Sequence, residues 1–476
     1  MPVQTGRGAW PRRKVRGHAD ISGMTMSDTR RQTDAHARRW QVRPLALFLV
    51  GGCTALASFL AGMHWNLSMR SAPLMTAPAL AGTSPTAGHV PHRHTLDRRP
   101  PDPDLRVTES TGMAGEFQRQ SAIILSCAEL VEQHPETFVE LVARTHTRVR
   151  LIGLVSSHEQ RRLAEYLLTA NGLPASAVAF LLNPVRTMWI RDYGPQFIRR
   201  PDGRAEVLDV ISGVDAECVD AAVEDPVPEW ISRQLGLPVM SVPLRLQGGN
   251  FLTNGDGLCV TSNTLLKDNS DLGYGADLIR TLLRLAFGCG KWVCLRPLEG
   301  EETQHVDMFV TFLAEDIAVV AECDPLLYPS NAAILDEAAH ALAKEMTCKG
   351  PMRVYRIPMP VSRIGRWRSY TNVLFANGVL LVPTYSNVDL AKEREAFDLY
   401  QRLLPGWEIV GINADNLIRL GGALHCVAAN VPDFVQIDPI RFAAGAGQAP
   451  ARLGEASLTE ARRQTLNPTR PQIHRR

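Results

Sequence analysis

The chain has 476 residues, with 51 Lys and Arg against 49 Asp and Glu and a formal net charge of +2. That length supports a large core and, taken alone, allows two or three domains. So small a net charge gives no reason to propose nucleic acid as a partner, and arginine concentrates at the two ends, which points to tails and not to a binding face.

In chain order, residues 1–43 form a polar, arginine-rich segment. Residues 44–69 contain no Asp, Glu, Lys or Arg, and the apolar run 45–63 is long enough to cross a membrane once. The tails on either side offer nothing to bury such a helix, so a transmembrane or signal-anchor segment is expected, with a cleaved signal as the alternative. The arginines ahead of the run favour an N-terminus in the cytoplasm and a membrane-anchored, extracytoplasmic domain, periplasmic or at the cell surface, or a secreted one if the signal is cleaved. Residues 70–114, rich in Pro, Ala, Ser, Thr, Arg and His, are expected to be a flexible linker. Residues 115–442 have the pattern of a globular domain. Short apolar runs at 122–126, 149–155, 258–261, 308–311, 317–321 and 379–382 predict strands. Amphipathic stretches at 135–145, 159–170, 276–286, 331–345 and 390–403 predict helices. Strands alternating with helices mean an α/β fold. From 443 to 476 the chain is Ala/Gly/Pro-rich and then basic, and a disordered tail is expected.

Three stretches of the globular part carry chemistry. They are Trp189-Ile190-Arg191-Asp192-Tyr193-Gly194-Pro195, His305-Val306-Asp307, and Gly421-Gly422-Ala423-Leu424-His425-Cys426. Together they supply a thiol, an imidazole and two carboxylates. A thiolate attacks planar electrophilic carbon, and an imidazole can protonate a departing amine and then activate water. Two carboxylates beside a thiol raise its pKa and suit a neutral or anionic substrate poorly. A guanidinium between them reverses that: its planar donors pair with carboxylates, and its charge favours the thiolate. In a strand, positions 305 and 307 would point to one face. The nine cysteines (53, 127, 218, 259, 289, 294, 323, 348 and 426) form neither a small disulfide scaffold nor a Cys-x-x-Cys zinc pair. No metal or cofactor is expected, since His305 and Cys426 have no ligand-spaced companions. His425 is expected to be structural and to face away from the thiol.

The segments 188–198, 247–250, 305–307, 369–372 and 421–426 resemble the agmatine deiminase and bacterial (Porphyromonas-type) peptidylarginine deiminase family of guanidino-group-modifying enzymes. The likeness runs from about 115 to 429. It implies a pentein fold, a five-bladed α/β-propeller with pseudo-fivefold symmetry, and hydrolysis of a guanidine C–N bond to a ureido product and ammonia. By the same resemblance Cys426 is the nucleophile that forms a thiouronium intermediate, His305 the acid and base, and Asp192 and Asp307 the grip on the guanidinium. Trp189, Arg191, Gln247, Gly249, Asn250 and Asn372 line the substrate pocket. Agmatine-type members tend to have an acidic residue where Gln247 stands, and peptidylarginine members resemble this Gly-Gly-Asn turn more closely. The arginine pair expected to hold a substrate's C-terminal carboxylate has no clear counterpart between 212 and 228. Asp215, Glu217, Asp220, Glu224 and Asp225 stand there instead, and favour a cationic amine or an internal, peptide-linked arginine. The expected partner is a small guanidine or an arginine-containing peptide or protein, with protein-linked or free arginine ahead of agmatine. The alternatives are amidino transfer through the same intermediate, a catalytically silent binder of cationic groups, and a papain-like protease, which would not need the paired aspartates.

Overall fold

The computed structural model describes residues 112–212, 223–361 and 366–437, all within the second of the chain's two units, Thr95–Arg476. The expected anchor at 44–69, the linker up to 111 and the tail from 443 lie outside the described residues. Among the described residues no helix is long and apolar enough to cross a membrane.

Strands β1 (Gln120–Ser126), β2 (Arg150–Val155) and β3 (Val178–Leu182) lie parallel in one sheet. Helices α1 (Ala128–Gln133) and α2 (Pro135–Thr145) connect β1 to β2, and α3 (His158–Ala170) connects β2 to β3. After one helical turn, α4 (Ile190–Tyr193), strand β4 (Gln196–Arg199) runs antiparallel to β5 (Ala205–Ile211). Helix α5 (Val227–Leu235) then leads to β6 (Val239–Arg245), parallel to β5. The same unit recurs with β7 (Leu252–Thr253), β8 (Leu258–Ser262), helices α6 (Thr264–Asp268) and α7 (Ala276–Phe287), and β9 (Lys291–Leu295). It recurs with β10 (Val310–Ala314), β11 (Ile317–Glu322), helix α8 (Pro329–Ala343), the small hairpin β12 (Met346–Thr347) and β13 (Gly350–Pro351), and β14 (Arg353–Pro358). A further copy is β15 (Leu374–Phe375), β16 (Val379–Thr384), helix α9 (Leu390–Leu403) and β17 (Glu408–Asn413). After the turn α10 (Asp415–Ile418), strand β18 (Ala428–Pro432) returns to pair antiparallel with β1. The end of the described chain thus supplies the first sheet with the antiparallel strand that the other four units carry at their start.

Local sequence explains the elements. Helix α2 opens on Pro135, whose fixed φ suits the first turn, and buries Phe138, Leu141, Val142 and Thr145 at helical spacing. Ser157 caps α3 by accepting the Gln160 N–H at 3.1 Å, and Asp389 caps α9 by accepting the Ala391 N–H at 2.9 Å. Strand β11 is apolar and buried from Ala318 to Ala321, because it is an inner strand covered on both faces. Helices α2 and α9 have the expected bounds. The strand expected at 308–311 instead starts at Val310, and Met308 belongs to a short 3-10 turn, Val306–Met308. Gly112, placed in the linker by its composition, exchanges backbone hydrogen bonds with Arg199 at 3.1 and 3.0 Å, so the ordered domain starts slightly earlier than expected.

Cys259 on β8 and Cys289, just beyond α7, form a disulfide across 30 residues. A spacing that long carries no sequence signature, so composition alone gave no pairing. Closing such a loop restricts the unfolded chain by about 3 kcal/mol. Cys289→Ser is expected to lower the unfolding free energy in urea by about that amount; equal stability of wild type and variant would mean that the crosslink is not formed.

Candidate active site

The residues of the three motifs meet because each lies at the same place in successive units, just before the short antiparallel strand that opens each one. Asp192 ends in α4 ahead of β4, and Gly249 lies in the 3-10 turn Gly248–Asn250 ahead of β7. Asp307 is in the turn ahead of β10, Asn372 precedes β15, and Cys426 precedes β18. Hydrogen bonds link these entrances in a ring, which His305 Nε2 and Gln247 Oε1, 2.7 Å apart, close between the Gly249 and Asp307 turns. Asp192 Oδ1 accepts the Gly249 N–H at 3.0 Å. The Thr371 hydroxyl donates to the Asp307 carbonyl at 3.2 Å. Asn372 Nδ2 donates to Cys426 Sγ at 3.3 Å, while its Oδ1 accepts the His425 N–H at 3.0 Å. The Arg191 N–H donates to the Cys426 carbonyl at 3.2 Å and returns the ring to α4.

The thiol is buried, with Asp307 Oδ2 at 3.7 Å. Burial pushes it well above the usual thiol range, and the charges of Asp307 and Asp192 push it further. Burial also raises the Asp192 carboxyl; His305 opposes the rise and Asp307 adds to it. Burial and like charge thus work against the anionic forms of both Cys426 and Asp192. His305 Nε2 lies 2.7 Å from Gln247 Oε1, and its Nδ1 is 3.6 Å from Asp192 Oδ1. Two buried polar atoms here, His305 Nδ1 and Asp307 Oδ1, have no hydrogen-bond partner among the described residues. Buried polar atoms are normally satisfied, so this pair marks the place for a ligand with N–H donors.

Gly249 keeps that place open. A Cβ added to it would lie 2.6 Å from His305 Nδ1, 2.8 Å from Asp192 Oδ1 and 3.1 Å from Asp307 Oδ2. Gly249→Ala is therefore expected to lower kcat/KM about 100-fold by displacing His305, Asp192 and Asp307. Steady-state kinetics together with an unfolding curve test this; activity within a few-fold of wild type would show that the space is not used. Gly422 has a related role, since a Cβ there would meet the Trp189 ring at 2.4 Å and Cys426 Cβ at 3.0 Å. Trp189 thus packs against the turn that carries Cys426.

Four expectations are corrected. His305 and Asp307 do not share a strand face: Asp307 lies in the 3-10 turn that His305 precedes, and Gly249 is the point where both converge. Arg191 does not face the substrate pocket. Its guanidinium bonds Glu116 Oε1 at 2.5 Å, Asn430 Oδ1 at 3.0 Å and the His425 carbonyl at 3.3 Å. Asn250 is also occupied elsewhere, donating to Thr264 Oγ1 at 2.8 Å and accepting the Ser262 N–H at 2.8 Å, which pins its turn to β8. His425 does not face away: its Nδ1 is 2.7 Å from Asp307 Oδ2 and its Nε2 is 2.8 Å from Glu116 Oε2.

Glu116 is the residue that motif reading missed. Burial raises its carboxyl, but Arg191 and His425 outweigh burial and lower it to about 2. Burial and Arg191 would lower His425, yet Glu116 and Asp307 win and raise it. The His425 ring thus holds Asp307 Oδ2, while Oδ1 has no partner among the described residues. Of the acidic residues between 212 and 228, Asp215, Glu217 and Asp220 lie outside the described residues. Glu224 accepts the N–H groups of Arg186 and Thr187 at 3.1 and 2.7 Å, and Asp225 accepts the Ser212 N–H at 3.1 Å. These two therefore pin loops and give no preference for a cationic substrate. Among the described residues no group of three or more His, Cys, Asp or Glu is arranged to hold a metal ion.

A buried thiol, an imidazole and two carboxylates around an open glycine define a cysteine-dependent site for a planar cation. The sequence matches the Porphyromonas-type peptidyl-arginine deiminase family over residues 112–432, and the chain belongs to that family. A curated relative from Photobacterium profundum, named as a candidate agmatine deiminase, is 24% identical over 357 residues, covering 67% of this chain and 95% of the relative. The solved agmatine deiminase of Enterococcus faecalis superposes with a TM-score of 0.58 at 21% identity, over 68% of this chain and 96% of the other. That of C. jejuni gives 0.58 at 20% identity, over 67% and 96%. These structural likenesses show that the α/β fold is shared.

Proposed function

We propose that this chain hydrolyses the C–N bond of a guanidino group, giving a ureido product and ammonia through a covalent intermediate on Cys426. The observation that carries the reading is the pair of carboxylates, Asp192 and Asp307, set around Gly249 beside a thiol that they disfavour as an anion. A bound guanidinium pairs with both and supplies donors for Asp307 Oδ1. Sγ then attacks the guanidinium carbon, ammonia departs, and water displaces the sulfur as the ureido product forms. His305 carries the protons, and Asn372 orients Sγ. Family membership favours hydrolysis over amidino transfer, and the complete set of reacting groups argues against a silent binder.

Protein-linked or free arginine is the proposed substrate, ahead of agmatine. The support is the neutral Gln247 at the position where agmatine-type members tend to carry an acid. Ammonia release and citrulline formation from internal-arginine and C-terminal-arginine peptides, free arginine and agmatine, offered side by side, test this. Turnover of agmatine alone would reverse the order, and no release from any of them would remove the activity.

The same proposal treats the five units as blades about one axis, which the convergence of their entrances on one site supports. It also places the domain outside the cytoplasm on an anchor at 44–69, supported by the uncharged run there and by the Cys259–Cys289 pair, since disulfides persist in oxidising compartments. A reporter fused after Arg70 that is active only in the cytoplasm would contradict that orientation.

A further inference from the structure

The two nitrogens of His305 stand in unlike surroundings. Nε2 is 2.7 Å from the carboxamide oxygen of Gln247. Nδ1 is buried without a hydrogen bond among the described residues, and Asp192 Oδ1, at 3.6 Å, lies beyond hydrogen-bonding range. A carboxamide oxygen only accepts, so the proton of a neutral imidazole belongs on Nε2 and the lone pair on Nδ1. That lone pair points at the space Gly249 leaves open, 2.6 Å from where a Cβ would stand.

Resting on the deiminase reading, we infer that Gln247 is a positioning residue that holds His305 in its Nε2–H form, so that Nδ1 meets the substrate as a base. The proton balance then closes with one nitrogen. Sγ bonds to the guanidinium carbon as the thiol proton passes to Nδ1. Nδ1 gives that proton to the departing NH2 group, the C–N bond breaks, and ammonia leaves a thiouronium cation. Water next adds to the same carbon and gives a proton to Nδ1, and the C–S bond breaks. The sulfur regains its proton from Nδ1, and the remaining proton leaves with ammonia as ammonium. No separately supplied imidazolium is required.

A carboxylate at 247 would act differently. It would accept from Nε2 equally well but would favour the doubly protonated ring, with Nδ1 occupied before the substrate arrives. Carboxylates already act on His305 from several elements: Asp192 from α4 at 3.6 Å and Asp307 from the adjoining turn border it, and Glu301 from the loop before it and Asp268 from α6 interact with it by charge. An amide holds the ring without adding to them.

Nitrogen-15 spectra of the full chain, labelled at histidine and assigned with a His305→Asn control, test the inference. The Nε2–H form is expected at neutral pH in wild type, and a neutral ring protonated on Nδ1 would overturn it. In Gln247→Glu, the acid side of the kcat profile is expected to move up by about one pH unit or more, because the other four carboxylates are unchanged. An unmoved profile in an active variant would overturn the inference. The spectrum needs no turnover, so the Nε2–H form in a protein that hydrolyses no guanidine would count against the deiminase reading and leave the Gln247 assignment standing.

Discussion

Cys426→Ala is expected to abolish ammonia release, with kcat falling by about 10,000-fold or more, while the guanidine still binds. The reason is chemical. Alanine leaves Asp192, Asp307, His305 and Asn372 in place, and these make the contacts proposed for the substrate, but no atom remains to form the covalent bond. Burial and two carboxylates disfavour the thiol as an anion, so it adds little charge to hold the guanidinium, and binding measured by calorimetry should persist. Residual turnover near the wild-type rate would end the thiol mechanism. Loss of binding together with turnover would instead mark Cys426 as structural.

Asp192→Asn has the second-largest expected effect and separates binding from reactivity. The side chain is mostly buried and faces His305, and a buried guanidinium that loses a charged partner is destabilised by about 3–5 kcal/mol. That corresponds to more than about 100-fold in kcat/KM. The same substitution removes one of the two negative charges that raise the Cys426 thiol. Its alkylation by iodoacetamide, a neutral reagent, should therefore speed up near neutral pH while substrate capture falls. A variant that had merely lost its fold would lose capture without this selective gain at Cys426. Unchanged capture would remove Asp192 from the site.

Much of the site was legible because the motifs contain the side chains that the structure brings together: the thiol of Cys426, the ring of His305 and the carboxylates of Asp192 and Asp307. Their neighbours were harder to read, for physical reasons. Arg191 sits beside Asp192 in the sequence, but both lie in one helical turn, where successive side chains diverge by about 100°. One therefore reaches Gly249 and the other Glu116. His425 borders Cys426 in a turn, so the alternation that would send it away from the thiol does not apply. Glu116 meets His425 across 309 positions, and no local pattern marks such a contact. Among the elements, α2 and α9 were legible from their apolar spacing. Strands β7 and β15, two residues each, are too short for any periodicity to show. Those short strands nevertheless follow the turns that place Gly249 and Asn372, so the parts hardest to read are the ones that assemble the site.

Formation of the covalent intermediate is the central claim, and rapid-quench mass spectrometry of the wild-type chain with a turned-over guanidine tests it most directly. A transient adduct of the substrate less ammonia is expected on the peptide that contains Cys426, absent in Cys426→Ala. Turnover at the normal rate with no adduct on that peptide at any time, or an adduct that persists in Cys426→Ala, would contradict it.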